Sequence, residues 1–432
     1  MRQMPELKIE IPSPVQEILN TLRTNGYEAC IVGGCVRDAL LGRVPGDWDI
    51  TTSALPHEVK ALFRSTVDTG IQHGTVLVIL NGEGFEVTTY RIDGAYEDSR
   101  HPSSVTFTRS LEEDLKRRDF TINAFALNEE GLVDLFDGLS DLQKGLIRCV
   151  GDPAERFRED ALRIMRAVRF SAQLGFEIEE RTAAMIRTFS PSLAQISMER
   201  IRVEWEKTLL SDHPCLVNRY AGYGMAPYII KNSWEKCFDP SGDALLEELL
   251  RRREQTGFYR PLMLAAFFRN LSPEEADQAF RELKYDNRTR EAVTKILRFS
   301  DLPVDPDRAG IRQQLNRMGA ETFFSILEMK DAMLCCGAFR NGERAEAGRA
   351  RITKMRETAE DIIVCGEPFQ ISQLAVNGKD LMEAGVPAGK KIGLFLEKIL
   401  QKVMQSPTLN NKAILCSHEF LSEVENECKD NL

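Results

Sequence analysis

No apolar run in this 432-residue chain approaches the length of roughly 18 residues that a membrane-spanning helix needs. The start of the chain, through Ser13-Pro14, lacks a basic stretch followed by an apolar block, so no secretory leader is expected. Ten cysteines are present, but none forms a CxxC pair, and Cys335 and Cys336 are vicinal. That scatter argues against a disulfide framework and against a Cys/His zinc site. Reduced cytoplasmic thiols, mostly buried as small apolar groups, fit better. Only five histidines occur and none is followed by aspartate, so no appended His-Asp phosphohydrolase domain is expected. Positive charge is also in deficit, with a net charge of −10. Taken whole, this argues against a nucleic-acid partner, yet binding needs only a local basic face. Residues 109–118, with Lys116, Arg117 and Arg118, and residues 156–169, with Arg158, Arg163 and Arg166, could supply one.

The composition that remains is globular, 43% apolar and 28% charged, and the length suggests two to four domains. Ser13 and Pro14 open a helical pattern that Gly26 can close. Residues 27–32, 47–52, 75–80 and 85–91 are rich in β-branched and aromatic side chains and are predicted as strands. Helical segments VRDALLG and PHEVKALF lie between them, and Asn81-Gly82 is a strong hairpin turn. From about residue 153 onward helical periodicity dominates, beginning with PAERFREDALRIMRAVRFSAQLG, read as one helix. The stretch 299–310 has the prolines, aspartates and glycine of a joint.

Asp47-Trp48-Asp49 begins a predicted strand, where side chains at i and i+2 share a face. Two carboxylates so placed repel unless a cation lies between them, and an all-oxygen site suits Mg²⁺. Glu86, on the 85–91 strand, can complete a trio suited to two-metal phosphoryl transfer. The plain alternative is a pair of aspartates flanking a turn. Just upstream, however, Gly33-Gly34 ends a strand and opens a helix, where backbone N–H groups can approach phosphate, and Arg37 on the first turn can reach the same anion. A tight strand-to-helix turn explains the glycines alone; it does not explain glycines, arginine and paired aspartates together.

These residues resemble the polymerase-β-like nucleotidyltransferases, marked by GG and DxD. Arg117-Arg118-Asp119-Phe120-Thr121-Ile122-Asn123-Ala124 resembles the RRDFTxNA motif of class II tRNA nucleotidyltransferases and bacterial poly(A) polymerases. Glu159-Asp160-Ala161-Leu162-Arg163 with Arg166-Ala167-Val168-Arg169-Phe170 is similar to the EDxxR…RAxRF motif, and residues 196–201 are similar to the helix motif that follows. The C-terminal segment VNGKDLMEAGVPAGKKIGLFLEKILQKV is similar to that of bacterial CCA-adding enzymes, while residues 211–370 match only as a helical region.

The resemblance implies an α+β chain: a small mixed-sheet polymerase-β-like nucleotidyltransferase head over residues 1–150, then an elongated all-α remainder. The latter would divide into a neck that recognises the base (151–210), a body (211–335) and a tRNA-binding tail (336–432). It implies template-independent addition of C, C and A to the tRNA 3′ end from CTP and ATP, with Mg²⁺ held by Asp47, Asp49 and Glu86. Gly33, Gly34, Arg37, Arg118, Asp119, Asn123, Arg166 and Arg169 would bind the nucleotide. Asp160 and Arg163 would read the base. On one helix, three residues apart, they are neighbours; a carboxylate accepting from the amine of cytosine or adenine and a guanidinium donating to the ring would mimic a Watson–Crick edge. Guanine and uracil offer no amine there, which leaves the carboxylate unpaired. Residues 93–102 resemble the flexible loop used in switching from C to A, with His101 a loop residue rather than a catalyst. Lys390, Lys391, Lys398 and Lys402 are tail candidates for tRNA phosphates. No feature calls for a membrane or an obligate protein partner. A poly(A) polymerase or an A-adding enzyme shares the head motifs, and a non-catalytic RNA-binding relative would be expected to have lost a carboxylate.

Overall fold

The computed structural model describes residues 9–94, 105–254, 257, 259–300, 307–337 and 345–429. Two compact units divide between Pro240 and Ser241, with Glu282–Lys284 returning to the first.

The first unit opens on α1 (Ser13–Thr24), which buries Val15, Ile18, Leu19 and Leu22 at helical spacing. Its N-cap is Pro12 and no side chain caps it; Ser13 lies inside the first turn, so the expected serine cap is not made. A mixed seven-stranded sheet follows, from β1 (Ala29–Val32), β2 (Ile50–Thr52), β3 (Thr66–Gly70), β4 (Thr75–Leu80), β5 (Glu83–Thr89), β8 (Phe125–Asn128) and β9 (Gly131–Asp134). The order is β3-β4-β5-β2-β1-β8-β9. Only β2 and β5 pair parallel, Ile50 opposite Val87; β1 pairs antiparallel with both β2 and β8. Being central, β1 is buried along its whole length. The hairpin β4–β5 turns on Asn81 and Gly82, at φ 53° and 85°, the left-handed pair that a tight two-residue turn demands. In β5, Phe85 and Val87 point into the core, so alternation sets Glu86 on the opposite, exposed face.

The helices α2 (Gly34–Leu40), α3 (Pro56–Leu62), α4 (Leu111–Lys116) and α5 (Gly138–Lys144) pack around this sheet. A short ribbon pairs β6 (Arg91–Asp93) with β7 (Val105–Phe107), Arg91 opposite Phe107. The 93–102 segment expected to act in the C-to-A switch lies outside the described residues from Ala95 onward. At the start of α5, a Cβ on Gly138 would lie 2.5 Å from the Thr121 carbonyl oxygen and 2.8 Å from the Phe125 ring, so this helix sits directly against the backbone of the 121–123 turn.

Beyond the sheet come α6 (Pro153–Glu159), α7 (Leu162–Leu174), α8 (Glu180–Phe189) and α9 (Met198–Leu209), followed by short helices up to Cys237, and β10 (Leu146–Ile147) pairs parallel with β11 (Glu177–Ile178). The single helix expected from residue 153 is therefore two. It breaks at Asp160, whose backbone is extended (φ −141°, ψ 105°) and whose Oδ1 accepts from the N–H of Leu162, the first residue of α7, at 3.0 Å.

Among its described residues the second unit is helical. Its C-terminal part buries Val376, Leu381, Phe395, Ile399, Val403 and Val424 in one cluster. Helices Asn287–Ser300 and Arg308–Met318, on either side of the expected joint, both belong to this unit. Of the nine cysteines whose side chains are described, all free, Cys30, Cys35, Cys149 and Cys237 are buried, whereas Cys335 and Cys365 are exposed.

Candidate nucleotide and metal site

The site grows from the end of β1. Gly33 has φ +86°, a conformation costly for a residue with a Cβ, and it opens α2. Space demands glycine as well: a Cβ there would lie 3.0 Å from Arg118 Nη1 and 3.9 Å from Asp49 Oδ2. Both the guanidinium and the carboxylate thus close upon bare backbone. Asp49 reaches this point because its carbonyl accepts from the Val32 N–H at 3.0 Å, just before β2 begins. The strand starts at Ile50 rather than at Asp47, so the aspartates occupy the extended approach to it.

The parallel pairing of β2 with β5 brings Glu86 to the neighbouring strand beside Asp49. Burial pushes the Asp49 carboxyl up to about 6, and the charges of Asp47 and Glu86 add to the rise against the opposing pull of Arg118. Asp47 and Glu86 are exposed. Among the described residues no three His, Cys, Asp or Glu side chains converge tightly enough to form a ready cation cage. What the three carboxylates share is a field: an all-oxygen donor set whose negative charge Arg118 only partly offsets at the half-buried Asp49. That is the chemistry a hard divalent cation fits.

Arg118 is aimed by a residue the sequence reading missed. Asp114 is fully buried on α4 and accepts from Arg117 Nε at 3.0 Å and Nη2 at 2.8 Å, with Arg118 Nη2 at 3.5 Å. It also takes the Arg91 N–H at 3.3 Å, which ties this arginine pair to the β6–β7 ribbon. Burial opposes ionisation of Asp114, but the arginines prevail and hold it below the usual carboxylate range.

Asp119 is the next junction. Its Oδ1 accepts from the Phe120 N–H at 2.8 Å and from Asn123 Nδ2 at 3.1 Å, and its Oδ2 accepts from Arg166 Nε at 2.7 Å. Asn123 in turn accepts from Arg37 Nη1 at 2.6 Å. Burial works against the charge on Asp119, yet Arg166 foremost, with Asn123 and Arg163, holds it down at about 2. Arg37 and Arg169 are buried, and their guanidiniums, with that of Arg166, surround the Phe170 ring at 5.1, 4.2 and 5.3 Å from its centroid. Arg169 is further paired with Glu204 of α9 at 2.9 Å. Phe170 stands edge-on to Phe120 at 5.8 Å. The ring is thus a common platform for three cations.

Asp160 and Arg163 do not pair with each other as neighbours on one helix. Asp160 lies in the break between α6 and α7, its Oδ2 paired with Arg200 of α9 at 2.8 Å. Arg163, in the first turn of α7, pairs with Glu159 at 2.5 Å and donates to the Arg117 carbonyl at 2.9 Å. Arg200, Glu159 and Glu204 were not singled out as site residues. Glu159 and Arg200 had only their membership of motif segments as a signal, and Glu204, outside those segments, had none, because partners across space leave no spacing in the chain.

The comparisons with known proteins fall on this arrangement. A family described as "Poly A polymerase head domain" matches residues 29–148, one described as "Probable RNA and SrmB- binding site of polymerase A" matches 175–236, and a tRNA nucleotidyltransferase domain 2 family matches 261–418. A CCA-adding enzyme of Leuconostoc mesenteroides is 57% identical over 244 residues, a match spanning 55% of this chain and 59% of that protein. One from Limosilactobacillus reuteri is 37% identical over 441 residues, covering 99% of each chain. The chain belongs to the CCA-adding enzymes. The crystal structure of the Bacillus stearothermophilus CCA-adding enzyme in complex with CTP aligns over 98% of this chain and 100% of its own, at a TM-score of 0.78 and 34% identity.

The tail lysines differ in their freedom. Lys390 and Lys391 are exposed at the start of the helix Lys390–Gln405, and Lys398 is half-buried. Lys402 is engaged by Glu423 at 2.7 Å and Glu427 at 2.6 Å, so its charge is already met by two carboxylates.

The Phe170 platform carries an expected result. Phe170→Leu keeps an apolar side chain but removes the ring face. With cation–π contacts of ~0.5–1 kcal/mol each, nucleotide KM should rise about tenfold while kcat stays within about twofold. Steady-state kinetics with CTP and ATP measures this; an unchanged KM would show that the ring only fills space.

Proposed function

We propose that this chain adds C, C and A to the 3′ end of tRNA, using CTP and ATP, by nucleotidyl transfer. The observation that carries the reading is similarity to a CCA-adding enzyme over 99% of both chains, on a head whose half-buried acid, glycine turn and arginines meet at one point.

In the reaction, the terminal tRNA hydroxyl oxygen bonds to the α-phosphorus and the bond to pyrophosphate breaks. Asp47, Asp49 and Glu86 would hold Mg²⁺, which would lower the pKa of the attacking hydroxyl and neutralise charge on the triphosphate. Arg118, beside the bare backbone of Gly33, binds phosphate as a preorganised donor. Arg37 is steadied by Asn123, and Asp119 fixes both Asn123 and Arg166, so the nucleotide meets side chains already in place. Asp160 accepts the exocyclic amine of cytosine or adenine, and Arg163 donates to the ring. The tail, through Lys390, Lys391 and Lys398, grips tRNA phosphates without regard to sequence. Head (1–150), neck (151–210), body (211–335) and tail (336–432) are our functional division. Among the described residues no helix is long and apolar enough to cross a membrane; we place the enzyme in the cytoplasm, with its substrate.

A second reading, poly(A) synthesis, is favoured by the description of the family that matches the head. Purified protein with Mg²⁺, CTP, ATP and a tRNA ending before its CCA distinguishes the two. Addition should stop after three nucleotides. Open-ended growth of A would replace the present reading with poly(A) synthesis.

A further inference from the structure

We infer that Arg200 is a positioning residue for base selection: from α9 it holds Asp160 apart from Arg163, so that acceptor and donor stay separate and available to an incoming base. The inference rests on the reading of Asp160 and Arg163 as base readers.

Asp160 and Arg163 have opposite charges and lie three residues apart, a spacing at which such side chains ordinarily pair. If they paired, the face meant to imitate a partner base would be internally satisfied. Each is instead drawn aside. Asp160 Oδ2 accepts from Arg200 Nη2 at 2.8 Å while its Oδ1 accepts the Leu162 N–H at 3.0 Å. Arg163 is held by Glu159 and by the Arg117 carbonyl. Each oxygen of Asp160 has one protein donor, so each keeps a lone pair for a nucleotide amine.

The setting of Arg200 shows why it can do this. One helical turn further along α9, Glu204 grips Arg169 of α7. Arg200 and Glu204 are four residues apart and share a face. Together they hold the arginine-bearing helix at two points, one at the Asp160 turn that precedes it and one at Arg169 in its third turn. Nη1 of Arg200 is buried without a hydrogen-bond partner among the described residues. A buried unpaired donor is costly, and Nε of Arg156 and of Arg169 in the same cluster are in the same position.

The test compares Arg200→Met, Arg200→Lys, Asp160→Ala and the double variant Arg200→Met/Asp160→Ala. Full-length proteins are assayed for kcat/KM with CTP and with UTP on a tRNA lacking its terminus, alongside thermal unfolding. Arg200→Met should lower the CTP-over-UTP preference by about tenfold or more, since a freed Asp160 turns to Arg163. Arg200→Lys, which keeps one charged donor, should recover most of that preference. The double variant should be no less selective than Asp160→Ala alone. If Arg200→Met lost turnover for both nucleotides equally, with preference intact, Arg200 would be structural and the inference wrong. If Asp160→Ala itself left base preference unchanged, the base-reader assignment would fail first, independently of Arg200.

Discussion

Asp49→Asn should abolish nucleotide addition, lowering kcat by about a thousandfold or more, which corresponds to ~4 kcal/mol of lost transition-state stabilisation. Nucleotide KM should change far less, because the arginine contacts to phosphate and the base readers remain. The same change should stabilise the metal-free fold. Asp49 titrates at about 6 in the folded chain against an ordinary 3.8. Between those values the native state binds more protons than the unfolded one, so stability falls as pH rises, and the full cost is present above about pH 6. Removing the charge therefore raises the melting temperature of metal-free protein at pH 7–8, and the gain vanishes below about pH 4. Divalent cation should stabilise the parent chain and leave Asp49→Asn nearly unaffected. A substitution that halved activity, or one that melted lower at pH 8 without metal, would remove Asp49 from the role given to it.

Asp119→Asn should act differently. It deletes the charge that faces Arg166 while retaining the shape of the loop. Loss of a buried ion-pair partner costs ~3–5 kcal/mol, and the partial exposure of Arg166 reduces this to about 2–3. Nucleotide KM should rise by roughly 10- to 100-fold as Asn123, Arg166 and Arg37 lose their common anchor. Asp119 is held at about 2 in the folded chain. Its contribution is present above the ordinary carboxylate value and is lost only as pH falls through about 2, so the destabilisation should be constant from pH 5 to 9. Melting curves across that range, with kinetics at one pH, measure both effects. A deficit that shrank toward pH 5 would show that a different carboxylate is responsible.

These contrasting signs mark what could and could not be read from the chain. Gly33-Gly34, Asp47, Asp49 and the Asn81-Gly82 hairpin were legible because each is local: a special φ, a short spacing, a tight turn. The mixed sheet that carries them was legible in outline. Strands β8 and β9 were not named, since short strands with half-buried faces leave little alternation. The break at Asp160 was hidden because apolar periodicity runs through it unchanged. What interrupts the helix is the Asp160 side chain, which accepts the Leu162 N–H and pairs with Arg200 forty residues later. The same holds for Asp114: its spacing from Arg117 reads as an ordinary surface helix pair, and only burial against the sheet makes it a hub.

Gly138 adds a consequence of another kind. It touches no nucleotide, yet even a methyl group there would press on the Thr121 carbonyl and on Phe125, and so on the turn that ends in Asn123. A side chain at this position must displace that turn, although the position performs no chemistry. A survey of natural variants that scored only ligand contacts would mistake it for a tolerant loop residue. A substitution there would therefore disturb the 121–123 turn, and Asn123 with it, while every side chain of the site is still of the correct type.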